Sequence, residues 1–370
     1  MNEQKKNKSA LSVSKGVDQP SAVNPDSVKT FRNRRKEKKT VSRYFDGIKA
    51  GNITVLSQAI TLIESSLPEH QVIAAELIEK CIPVSGNSMR IGITGVPGVG
   101  KSSFIESFGK MLTGKGARLA VLTIDPSSEL SKGSILGDKT RMAELSADPS
   151  AYIRPSPSRG ALGGVAARTR ESMILCEAAG YDVIIVETVG VGQSEIAVHS
   201  MVDFFMLLML SGAGDELQGI KRGIMEMADL IVITKSDGDN IARADLAKSQ
   251  YNRALKLFPP PSSGWVPRVQ TCSSMTNMGL HDIYDTLQEY FDYTGNSEYL
   301  IRNRKEQALY WLNENIDQQL KDYFFKHDAV RSELETIKQE VVRGEVSSYQ
   351  AARRLIERYL NITGEKPGSI

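Results

Sequence analysis

The segment Gly95-Val96-Pro97-Gly98-Val99-Gly100-Lys101-Ser102 has the spacing GxxxxGK[ST]. Glycines in this pattern let backbone N–H groups converge on phosphate oxygens, and the amphipathic segment that follows adds the partial positive charge of a helix N-terminus. Lys101 then reaches the β- and γ-phosphates, Ser102 offers a hydroxyl to Mg2+, and Ser103 continues the loop into the helix. The chemistry predicted here is the binding and metal-assisted cleavage of a nucleoside triphosphate.

Magnesium needs an acid at the end of a neighbouring strand, directly or through water. Glu187 holds that place, because it closes the apolar run YDVIIV. Small GTPases usually carry aspartate there, with glycine two residues on; here the glycine, Gly190, comes third. Gly190 is expected to donate its N–H to the γ-phosphate, which makes residues 188–195 a switch segment released on hydrolysis. Asp125, at the end of LAVLTI, and Asp138, in ILGDKTRM, are two further acids that bear on the metal. Asp138 reads equally as a helix N-cap.

Base choice falls to Asp237 in VITKSD, which resembles the NKxD motif. Its carboxylate is expected to accept two hydrogen bonds from guanine while the Lys235 stem covers the ring. Adenine would leave that carboxylate unpaired. Thr234 stands where the motif has asparagine, and threonine cannot supply the amide that ties this loop to the phosphate loop. Ser273, Ser274 and Met275, in CSSMTNMG, are placed to close over the base.

These residues need strands to carry them. From Arg90 onward short apolar runs alternate with amphipathic segments: RIGIT, LAVLTI, DVIIVE, FFMLLML, DLIVIT and VQTC. That alternation predicts an α/β fold, a mainly parallel sheet flanked by helices, with ligands at the carboxyl ends of the strands. Helical periodicity precedes it, with Pro68 as punctuation, and returns after about Tyr293, with Ser347 and Gln350 as a capping box for the last helix. Four segments are expected: a disordered basic tail at 1–40, N-terminal helices at 41–87, a P-loop domain at 88–292 and a C-terminal helical arm at 293–370.

Composition narrows the partners. The net charge is +2, but the first forty residues hold eleven Lys or Arg against four Asp or Glu, so the remainder is mildly acidic. A general nucleic-acid surface is not expected. Cys81, Cys176 and Cys272 form no CxxC pair, which favours a reducing compartment, and the four histidines are scattered without ligand-like spacing. There is no apolar run long enough for a membrane span. A cytoplasmic location is expected. A mitochondrial-matrix location is the alternative, although Glu3, Asp18 and Asp26 interrupt the basic tail as a targeting segment.

Taken in order, GVPGVGKSSF, IDPSS, GSILGDKTRM, RPSPSRGALGGVA, ETVGVGQSE and GDELQGIKRGIMEMADL resemble the MeaB/ArgK/MMAA-type GTPases of the SIMIBI class. The resemblance runs from about Val41 to Leu360. It implies a GTPase that chaperones an adenosylcobalamin-dependent acyl-CoA mutase of the methylmalonyl-CoA type, gating cofactor loading and protecting the mutase. Cobalamin is then met only through that partner. The resemblance also implies a homodimer joined through the C-terminal arm, and slow GTP hydrolysis stimulated by the mutase. By position, Ser102, Asp125, Asp138 and Glu187 resemble the family's magnesium-associated residues. Lys221 falls in a third mobile segment and is linked to stimulated hydrolysis; its plain reading is a solvated lysine. Gln193 either positions the attacking water or contacts the partner. Three rivals stand beside this reading: a nickel-insertion GTPase of the same class, a transport-associated kinase and a nucleotide-dependent scaffold. The first lacks His- or Cys-rich segments here, and the second lacks HRD and DFG signatures.

Overall fold

A computed structural model describes residues 40–124, 142–155, 162–188, 194–212 and 222–363. The expected runs form strands β1 (Met89–Gly95), β2 (Leu119–Ile124), β4 (Val183–Thr188), β5 (Phe204–Leu210), β6 (Leu230–Thr234) and β7 (Arg268–Thr271). A strand that the apolar pattern did not predict, β3 (Ala151–Pro155), pairs with β2 at the sheet edge. The seven strands are ordered β3-β2-β4-β1-β5-β6-β7, and every pairing is parallel.

Alternation along the strands divides two apolar layers. On one face Ala120, Leu122, Ile124, Ile184 and Val186 pack with three N-terminal helices, α1 (Val41–Lys49), α2 (Ile53–Glu64) and α3 (Pro68–Cys81). On the other face Ile91, Ile93, Val121, Val183 and Ile185 meet Phe104, Phe108 and Leu112 of α4 (Lys101–Gly114). Continuous apolar strands are what a sheet covered on both faces requires. Three short helices follow along the chain: α5 (Ala143–Ser146), α7 (Ser194–His199) and α8 (Arg222–Glu226), with the longer α6 (Leu162–Ala178) after α5. Then come α9 (Ile241–Leu255), α10 (Leu280–Asn296), α11 (Tyr299–Lys326), α12 (Asp328–Val342) and α13 (Ser348–Thr363). The Ser347 hydroxyl accepts the Gln350 N–H at 3.2 Å, as the capping pattern predicts.

Chain order fixes where a ligand can sit. From β1 the chain runs to one side of the sheet, through β2 and β3, and from β4 it crosses to β5 on the other side. The switch point therefore lies at the carboxyl end of β1, between β4 and β5. Register brings the relevant ends level: Ile93 lies opposite Glu187, Gly95 opposite Leu208, and Leu210 opposite Thr234.

The amino ends of β1 and β5, at the opposite end of the strands, carry two ion pairs, and the second of them anchors the C-terminal helices. Glu177 of α6 accepts two hydrogen bonds from the Arg90 guanidinium, at 2.8 and 3.0 Å. Buried Asp203 takes Arg304 of α11 in the same two-pronged way, at 2.8 and 2.6 Å. Farther along α11, Gln307 donates to the Val202 carbonyl at 2.6 Å and the Trp311 indole to the Ser200 carbonyl at 3.0 Å. Beyond Trp311, α11 joins α12 and α13 around a separate small core of Val330, Ile337, Ala351 and Leu355.

Candidate nucleotide site

The loop at the switch point is built from the end of β1. Gly95 has φ +155°, and a Cβ there would lie 2.5 Å from the Leu208 carbonyl oxygen, so only glycine fits beside β5. Gly100, at φ +94°, turns the chain into α4 in a left-handed conformation that suits glycine. Val99 is buried beneath the loop. Lys101 folds its side chain back over this turn, and its ammonium donates to the Gly95 carbonyl at 2.7 Å and the Val96 carbonyl at 3.4 Å. Burial pulls the Lys101 pKa down, and the charges of Glu187 and Glu195 oppose that shift.

Glu187 and Glu195 are both buried, at 3% and 1% exposure, so two carboxylates flank one ammonium in the interior. The Ser102 hydroxyl donates to Glu187 at 3.4 Å. One strand position on, Thr188 donates to the Thr94 hydroxyl at 2.8 Å, clamping the end of β4 to the end of β1. Ser102 and Glu187, hard oxygen donors held together at a helix N-terminus, fit Mg2+, which takes one or two protein oxygens and fills its octahedron with phosphates and water.

Beside the loop lies a cavity of about 450 Å3 lined by Val99, Gly100, Ser103, Glu106, Ser107, Thr234, Lys235, Asp237, Ser274 and Met275. Backbone bonds from Ser236 N–H to the Cys272 carbonyl (2.9 Å) and from Cys272 N–H to the Ile233 carbonyl (2.8 Å) bring its two loops side by side. The Asp237 carboxylate accepts the Ser273 hydroxyl. That hydroxyl oxygen in turn accepts the Met275 and Thr276 N–H groups, each at 3.2 Å. Lys235 sits at φ +56°, uncommon for a residue with a side chain, and its ammonium donates to the Gly98 carbonyl at 2.9 Å.

Residues 95–103, Glu187, Lys235, Asp237 and 273–275 are thus gathered around one crevice. Asp125, Asp138, Gly190, Gln193 and Lys221 lie outside the described residues. One expectation is corrected by the structure and one contributor, Ser107, escaped the sequence reading. Thr234, expected to leave the base loop untied, donates its buried hydroxyl to the Val99 carbonyl at 2.7 Å, so the hydroxyl makes the tie that the missing amide would have made. Ser107, one helical turn beyond Ser103, donates to the Ser274 carbonyl at 2.9 Å. Its helical spacing from Ser103 was the available signal.

Residues 56–329 match the family model described as methylmalonyl Co-A mutase-associated GTPase MeaB. The chain is 44% identical to the mitochondrial methylmalonic aciduria type A homolog of Mus musculus over 88% of its own length and 80% of the mouse protein. It is 45% identical to the GTPase ArgK of Escherichia coli, covering 78% of this chain and 87% of that one. Among solved structures, a LAO/AO transport system kinase superposes with a TM-score of 0.68 at 36% identity, covering 87% of this chain and 98% of the other. A family model spanning most of the chain, with relatives 44% and 45% identical over most of their own length, shows that this chain is a GTPase that belongs to the MeaB family.

Proposed function

We propose that this GTPase chaperones an adenosylcobalamin-dependent acyl-CoA mutase of the methylmalonyl-CoA mutase type, hydrolysing GTP to GDP and phosphate to time cofactor loading and to protect the mutase. The observation that carries the reading is the clamped strand end, where Glu187 accepts the Ser102 hydroxyl and Thr188 donates to the Thr94 hydroxyl. The family's description and the mouse relative's name support the client.

Each step assigned to this chain follows from its own groups. Loop N–H groups and the α4 N-terminus bind the phosphates, and Lys101 exchanges its contacts with the Gly95 and Val96 carbonyls for β- and γ-phosphate oxygens. Ser102 and Glu187 would hold Mg2+, joined by Asp125 or Asp138, and the ion would neutralise charge on the phosphates. Asp237 accepts guanine N–H donors, with the Lys235 stem and Ser274–Met275 bracketing the ring. Gly190 ties residues 188–195 to the γ-phosphate, Gln193 orients water or meets the mutase, and Lys221 serves the stimulated reaction. Loss of the γ-phosphate then releases the segment, and the surface presented to the mutase changes.

A second copy of the chain completes the assembly. Leu309, Leu312, Ile316, Leu320 and Tyr323 recur at three- and four-residue steps along α11 and are exposed, a seam that a matching helix would cover. Cobalamin is met through the mutase alone. The cytoplasm is the compartment proposed, with the mitochondrial matrix as the alternative, which the word mitochondrial in the mouse relative's name supports.

Phosphate release from GTP, with ATP in parallel, measured during titration with an adenosylcobalamin-dependent acyl-CoA mutase of the same organism, tests the proposal. GTP-selective turnover that rises to saturation is expected. Flat turnover with a folded mutase would remove the client and leave the GTPase.

A further inference from the structure

β5 and β6 end level, with Leu210 opposite Thr234, so Ser211 and Lys235 are the first residues to leave the sheet on neighbouring strands. The side chain of Asn240 bridges them. Its NH2 donates to the Lys235 carbonyl at 2.6 Å, and its Oδ1 accepts the Ser211 hydroxyl at 2.7 Å. The two partners fix the amide's orientation, because a carbonyl only accepts and the hydroxyl supplies a proton.

Asn240 stands at the N-cap of α9, where asparagine is favoured because its oxygen can accept a free N–H of the first turn. Here it makes no such bond. The side chain is turned from its own helix onto Lys235 and Ser211, so the cap is forgone for the bridge. What the bridge holds is the Lys235 turn. Lys235 has φ +56°, a left-handed conformation that is unfavourable for a residue with a Cβ. In that turn its ammonium reaches the Gly98 carbonyl at 2.9 Å, and the residue lines the cavity with Asp237 and Met275. Thr234 ties the start of this loop to Val99, and Asn240 ties it on the other side to the end of β5.

We propose that Asn240 is a positioning residue for guanine-nucleotide binding. It holds Lys235 in the left-handed turn from which the stem flanks the base, and Ser211 anchors the asparagine to β5. This rests on the assignment of Lys235 and Asp237 to the base. Without the bridge the Lys235 backbone relaxes to a commoner conformation, and the stem leaves the cavity wall. Binding must then restore the turn, which lowers affinity for GDP about tenfold.

Titration calorimetry of the full chain with GDP tests it through a double-mutant cycle. Asn240→Ala is expected to bind GDP about tenfold more weakly than the native protein. In a Lys235→Ala background the same substitution should change affinity by no more than about twofold, since the side chain it positions is gone. A merely structural role would lower affinity equally in both backgrounds. If Lys235→Ala binds too weakly to titrate, or Asn240→Ala fails to fold, the serine decides. Ser211→Ala should weaken GDP binding severalfold, and Ser211→Thr, which keeps the hydroxyl, should match the native protein. Native-like affinity in Asn240→Ala or additive losses in the cycle overturn the inference, as does equal binding by Ser211→Ala and Ser211→Thr. If instead Asp237→Ala binds GDP as well as the native chain, the base assignment itself falls.

Discussion

The hydroxyl of Thr234 lies 2.7 Å from the carbonyl oxygen of Val99, so the base loop and the phosphate loop are joined by one buried hydrogen bond. The same hydroxyl approaches the Met209 carbonyl at 3.3 Å. Thr234→Val removes this buried hydroxyl donor, at about 1–3 kcal/mol. GDP affinity is expected to fall about tenfold in Thr234→Val and to survive in Thr234→Ser. Titration of both variants with GDP checks this, and native-like binding by Thr234→Val would mean that the tie is dispensable.

Glu187→Gln preserves shape and removes charge beside Ser102 and Lys101. Phosphate release is expected to drop by about a hundredfold or more, while GDP binding changes far less. EDTA should abolish turnover of the native enzyme, and magnesium should restore it. Unchanged kcat in Glu187→Gln would remove this acid from the metal.

Burial, together with the like charge of Asp203, raises the carboxyl of Asp229 to about 7, while the Phe205 N–H bond works against the rise. The folded state therefore keeps a proton that the unfolded chain releases near the ordinary aspartate value. Stability is expected to be highest below that value, to fall as pH rises towards 7, and to level off above it. Asp229→Asn should flatten the slope and raise the melting temperature at pH 8 relative to the native chain. Parallel melting curves for the two proteins from pH 4 to 8 would contradict this.

Arg304→Met strips buried Asp203 of its two-pronged partner. Loss of one member of such a pair costs about 3–5 kcal/mol, because the remaining charge stays buried. Denaturant unfolding measures it. The double variant Asp203→Asn, Arg304→Met should recover part of the loss.

Ile316→Glu combined with Leu320→Glu places two charges on the exposed seam of α11. Sedimentation is expected to show a dimer converted to a monomer, with basal GTP turnover retained. A native protein that sediments as a monomer would refute the seam.

Most of the fold was legible because buried parallel strands are written as unbroken apolar runs, and each run from RIGIT to VQTC appears in the sheet. β3 was not legible. Its five residues, AYIRP, end in arginine and proline, and the strand is stabilised by pairing with β2 at an edge and by the Arg154–Glu64 ion pair. Neither partner is near it in the chain.

The site divides in the same way. The glycine-rich loop after β1, the acid at the end of β4 and the aspartate after β6 were legible from sequence, because each depends on local backbone geometry and a strand end that a short motif specifies. Long-range packing settled that Thr234 reaches Val99, that Ser107 holds the Ser274 loop, that Glu106 caps α5, and that Arg304 finds Asp203. Those pairings join residues from separate strands and helices. A hydroxyl or guanidinium with several reachable acceptors has its partner chosen by how the helices pack on the sheet, which no local pattern encodes.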